Sequence, residues 1–139
     1  MTIDLDNQSS YDIDINNLKI ISLEITKKDI ELLVVDNNYI QNINKEFRDI
    51  NKPTDVLSFP FEPMPFTPLG TIVISVDFVE EKSKEYGHTF DDEFKLLYIH
   101  GLLHLAGYDH ECDNGEHRKE EERLIKKFNL PNSLIVRNS

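Results

Sequence analysis

"LGTIVISVDFVEEKSKEYGHTFDDEFKLLYIHGLLHLAGYDH", from Leu69 to His110, carries a strand, two helices and a histidine cluster in succession. The β-branched residues of "TIVISV" favour a pleated, largely buried surface. From Ser75 the spacing predicts a helix with Phe78, Val79 and Tyr86 on one side and Gly87 as its stop. A second helix is expected from near Thr89 through Phe94, Leu97, Tyr98, Leu102 and Leu105 to Gly107, apolar enough to lie in the core. Two helices in direct succession break any regular βαβ rhythm, so the fold class is α+β, in a single domain over residues 1–139.

Upstream, "DIELLVVD" reads as a buried strand. "NNYIQNINKEF" places Tyr39, Ile40, Ile43 and Phe47 at helical spacing, ending near Arg48. "TDVLSFPFEPMPFTPLG" predicts a short strand and then a loop, because Pro60, Pro63, Pro65 and Pro68 cannot occupy a helix interior or a central strand. The opening stretch supports two readings: Ile13 and Ile15 alternate as in a strand, whereas Leu18, Ile21 and Ile25 follow a helical step. Downstream, "NGEHRKEEERLIKKFNL" is helical, with glutamates early and Lys126 and Lys127 late, the order the helix dipole favours.

With 139 residues, the chain is long enough to bury one core without disulfides. Its apolar runs are too short to span a bilayer, and "MTIDLDNQSS" has neither the basic nor the apolar part of a secretory signal, so a cytoplasmic protein is expected. One cysteine, Cys112, excludes an internal disulfide framework. The net charge of -11 opposes broad attraction to a polyanion. Any nucleic acid must therefore be held locally, and Lys45, Arg48 and Lys52 form the one suitable cationic group near the centre of the chain.

Within "HGLLHLAGYDH", His100 and His104 are four apart and project from one helix face. Gly107 can turn the chain so that His110 returns towards the same ion. Three imidazoles suit Zn²⁺ and leave a fourth position open, as catalytic zinc sites do. Cys112 could supply a fourth ligand and close the site into a structural one, but is read as a spectator because closed sites usually draw on more thiolates. Asp109 and Glu111 are candidates for orienting an imidazole through its free N–H, Glu111 equally a solvated surface acid, and His88 and His117 are taken as surface or capping residues. The spacing resembles the HExxHxxGxxH motif of the metzincin peptidases. Gly101 stands where those enzymes carry their general-base glutamate, so peptide hydrolysis by their mechanism is disfavoured. A glycine inside a helix costs about 1 kcal/mol relative to Ala, which close packing or open space beside the metal would offset.

The segments "FRDINKPTDVLSFPFE", "LGTIVIS" and "HGLLHLAGYDH", in that order from Phe47 to His110, resemble the YbeY family of bacterial metal-dependent endoribonucleases, also called rRNA maturation factors. The resemblance implies a central mixed sheet packed with helices, one of them a metzincin-like zinc-binding helix. It also implies one Zn²⁺ per chain on His100, His104 and His110, with the motif arginine at Arg48. The implied activity is single-strand-specific RNA cleavage, in small-subunit ribosomal RNA 3′-end maturation and ribosome quality control. The expected partners are ribosomal RNA and the small ribosomal subunit or its proteins, with no membrane and no nucleotide cofactor. Thr71 stands where the family commonly has an acid after Leu-Gly, so no role of that acid carries over, and the region before Ile30 is shorter than usual.

In such chemistry the nucleophile, activated water or the adjacent 2′-hydroxyl, stays open. Arg48 would stabilise charge on the phosphoryl oxygens bidentately, with Lys45 and Lys52 positioning the backbone; the alternative is an Arg48 ion-paired with Asp49 or Asp55. Two other functions fit the same residues: a ribosome-assembly factor with structural zinc, and a zinc hydrolase of small phosphoesters or amides.

Overall fold

In the computed structural model, residues 1–108 and 115–131 are described. Four strands, β1 (Ile3–Asn7), β2 (Ile30–Val35), β3 (Val56–Pro60) and β4 (Gly70–Ser75), form a mixed sheet in the order β1-β2-β4-β3. The β1–β2 and β2–β4 pairs are parallel and β3–β4 is antiparallel. Among the described residues five helices accompany it: α1 (Ile15–Ser22), α2 (Asn37–Arg48), α3 (Val76–Tyr86), α4 (Phe90–Leu105) and α5 (Glu116–Lys127). None is long and apolar enough to cross a membrane.

Strand alternation sorts the apolar residues onto two faces. Ile30, Leu32, Val34, Ile72 and Ile74 point to the main core, against Leu18 and Ile21 of α1 and the apolar residues of α4. Val35, Leu57 and Val73 point the other way and are covered by Ile40 and Ile43 of α2. Thus α4 and α2 lie on opposite faces of the sheet.

As the sequence predicts, α4 is a core helix. Phe94, Leu97, Tyr98, Leu102 and Leu103 are buried, and Tyr98 OH lies 2.6 Å from Ser22 Oγ. Its start is capped by the Thr89 hydroxyl, which accepts from the Asp92 N–H at 3.1 Å. Gly101 provides the close approach to the sheet: a Cβ there would stand 3.1 Å from Ile72 Cγ2 and 3.3 Å from Val56 Cγ2. Packing, rather than open space at the metal, explains this glycine.

Of the two readings of the opening stretch, the helical one holds for Leu18 and Ile21, both buried in α1, while Ile25 lies beyond its end. Ile13 is not in a strand, and Ile15 begins α1, whose N-cap Asp14 accepts from the Asn17 N–H. The strand lies earlier, where Ile3 and Leu5 alternate with Asp4 and Asp6 along the sheet edge. With only one face covered, β1 needs just two inward apolar residues, too weak a pattern to stand out from the sequence.

Candidate metal centre

The last turn of α4 ends in a Schellman arrangement. Tyr108 N–H donates to the Leu103 carbonyl at 3.0 Å, and Gly107 N–H donates to that of His104 at 3.1 Å. Gly107 takes φ 97°, a conformation that L side chains resist. The chain therefore turns immediately after His104, and α5 comes back to pack on α4.

That return brings three imidazoles together. His100 and His104, half-buried on one face of α4, point their Nε2 atoms at each other, 3.2 Å apart. His117, in the first turn of α5, has its ring centroid 5.1 Å from that of His100 and 4.9 Å from that of His104. One ligand atom from each of the three lies within 4.8 Å of the others. At Zn–N distances of about 2.0–2.1 Å, two nitrogens of a tetrahedral site stand about 3.3–3.4 Å apart; the His100–His104 pair is close to that spacing. The centre also lies at the C-terminal, negative end of the α4 dipole, where a cation is favoured. The donor set and its spacing thus fit a divalent metal that prefers imidazole.

His117 corrects the sequence reading. It is fully buried rather than a surface or capping residue. The available signal was periodicity: His117, Glu121, Leu124 and Ile125 form the buried stripe of α5. Because its first two members are polar, the stripe does not read as an inward face. Glu121 is buried as well, with Oε2 3.3 Å from His100 Nδ1 and 3.3 Å from His117 Nε2. His88 is also mostly buried, its Nε2 2.7 Å from Oε1 of the buried Glu93. His110, Cys112, Asp109 and Glu111 lie outside the described residues.

The cationic group is placed elsewhere. Lys45 and Arg48 lie in the last turn of α2, and Lys52 follows in the connection to β3; all three are exposed. Arg48 makes no ion pair among the described residues. Neither Asp49 nor Asp55 holds it: Asp49 caps α2 in the left-handed region at φ 55°, and Asp55 Oδ1 accepts from Val56 N–H at 2.8 Å. Asn44 Nδ2 donates to the Lys52 carbonyl at 3.0 Å, tying this connection to α2. The connection leads to Val56, the residue that meets Gly101 beside His100. On β4, the Thr71 hydroxyl donates to Glu31 Oε2 at 2.9 Å, so the neighbouring strand places a carboxylate beside this position.

An α+β domain with an imidazole cluster at the end of its core helix is the class that fold and site define. Residues 6–129 match the family model described as Endoribonuclease YbeY. The chain is 63% identical over 139 residues to "Endoribonuclease YbeY" of Aliarcobacter butzleri, covering 99% of each chain. It is 57% identical over 136 residues to the protein of that name from Nautilia profundicola, covering 98% of each. The solution structure of TM1509 from Thermotoga maritima matches with a TM-score of 0.61 at 29% identity, covering 92% of each chain. This chain belongs to the YbeY family.

Proposed function

We propose that this protein is a zinc-dependent, single-strand-specific endoribonuclease of the cytoplasm, acting in small-subunit ribosomal RNA 3′-end maturation and ribosome quality control. The observation that carries the reading is the 3.2 Å approach of the His100 and His104 Nε2 atoms, in a chain similar over nearly its whole length to proteins named endoribonucleases. His100 and His104 hold one Zn²⁺ per chain, with His110 as the third ligand. Bound zinc supplies a Lewis acid and a lowered pKa for a coordinated water, to about 7. Arg48, exposed and without a carboxylate partner among the described residues, is available to receive phosphoryl oxygens with its planar fork. Lys45 and Lys52, close to it in the chain, position the RNA backbone.

The net charge of -11 makes extended binding to naked RNA unfavourable. Presentation by the small ribosomal subunit or one of its proteins would supply the missing affinity. Unpaired RNA suits a small cleft better than an A-form duplex, whose backbone cannot be splayed.

Full burial of His117 favours a second reading, an assembly factor in which a closed imidazole centre is structural. One experiment separates the two: zinc content and RNA cleavage of the purified protein and of His104→Ala, with folding checked by circular dichroism. About one zinc per chain, with cleavage lost in a folded variant, supports the nuclease. A variant that unfolds, or a zinc protein without cleavage even on an assembled small subunit, favours the structural centre.

A further inference from the structure

The neighbours of Glu121 on α5 are surface acids with surface partners. Glu120 pairs with Arg123, and Glu122 lies 3.3 Å from Arg118. Glu121 alone of this run is withdrawn from water, 1% exposed. Burying a carboxylate is costly unless specific donors receive it. Among the described residues, His100 donates to it: His100 Nδ1 hydrogen-bonds to Oε2 at 3.3 Å, and the His117 imidazole lies beside the same oxygen, with Nε2 3.3 Å away.

An imidazole that donates through Nδ1 keeps its lone pair on Nε2. For His100 that lone pair then faces the Nε2 of His104, the direction from which a shared ion would be bound. We infer that Glu121 is a positioning residue, which holds His100 in its Nδ1-protonated tautomer, fixes the ring from the α5 side and strengthens Nε2 as a metal ligand. This role rests on the proposed metal centre and adds a residue to it. It also ties the packing of α5 on α4 to metal affinity, since the carboxylate and the imidazole it orients belong to different helices.

The test uses the full chain. Long-range ¹H–¹⁵N correlation on histidine-labelled wild-type protein reports the His100 tautomer, and competition with a chromophoric chelator gives zinc affinity for wild type, Glu121→Gln and Glu121→Ala. The expected results are an Nδ1-protonated His100 and a loss of zinc affinity of about 10–100-fold in folded variants, the usual effect of removing such a partner. A wild-type His100 protonated on Nε2 overturns the role, and so does a folded Glu121→Gln variant with wild-type zinc affinity. Should the variants fail to fold, the wild-type tautomer decides. Absence of zinc binding by wild type would instead overturn the metal centre itself, and this role with it.

Discussion

Nε2 of His104 lies 3.2 Å from Nε2 of His100, one helical turn away, towards the end of a helix most of whose residues are buried. Two imidazoles held this way need little rearrangement to share an ion. Zinc should therefore stabilise the folded chain by mass action, about 2.7 kcal/mol at a free concentration a hundred times its dissociation constant. Thermal melts with and without zinc measure this. Chelation should remove both the stabilisation and RNA cleavage, and restored zinc should return both.

Arg48 makes no ion pair among the described residues, which separates its chemistry from the stability of the fold. Arg48→Lys is expected to melt as wild type does, within about 0.5 kcal/mol, as surface substitutions usually do. Its cleavage rate should fall at least about tenfold, because an ammonium keeps the charge but loses the bidentate fork. Full activity in this variant removes the bidentate role.

Lys45, Arg48 and Lys52 limit the phosphate contacts to few. For three contacts with single-stranded RNA, log K should fall with log[salt] at a slope of about −2. Binding titrations from low to physiological salt check the value; a slope several times steeper means a larger electrostatic surface than this cationic group.

Gly101→Ala sets two effects against each other. The helix gains about 1 kcal/mol of propensity, but the new Cβ meets Ile72 and Val56 at 3.1 and 3.3 Å. Ile72 is fully buried in the interior strand β4 and has little room to yield. Overpacking of this kind costs about 1–3 kcal/mol, so a net loss of about 1 kcal/mol is expected in urea denaturation. Gly101→Val should lose more.

Tyr98 predicts an alkaline transition. Burial pushes its phenol up to about 12, only partly opposed by the hydrogen bond with Ser22. The unfolded chain ionises near the ordinary value of about 10, so the native state holds the proton over the interval where the unfolded state has lost it. Stability is fully present below pH 10 and declines by about 2 kcal/mol as pH rises to 12. Urea denaturation across pH 8–11.5 should show a smaller fall in Tyr98→Phe, which keeps the ring and removes this ionisation, than in wild type.

Some elements were legible because their signals are local. β2 and β4 are apolar, β-branched runs, and α4 follows from its apolar length, its Thr89 cap and the glycine at its end. The His100–His104 pair needs nothing beyond helical spacing. Gly107 was expected at the turn for its positive φ, and its place in the turn adds the backbone bonds of Tyr108 and Gly107. β1 was missed because an edge strand covered on one face shows only Ile3 and Leu5 as inward residues.

What the sequence by itself determined is the α+β class, the core helix and the two histidines on its face, each set by the periodicity of one element. What only the tertiary structure decided is which polar residues leave water. His117 and Glu121 sit in a run of charged residues that reads as a solvated helix, yet both are buried at the imidazole cluster because α5 folds back on α4. Periodicity identifies a helix face by its apolar members, and a face that begins with a histidine and a glutamate becomes an inward one only when the opposing helix supplies their partners.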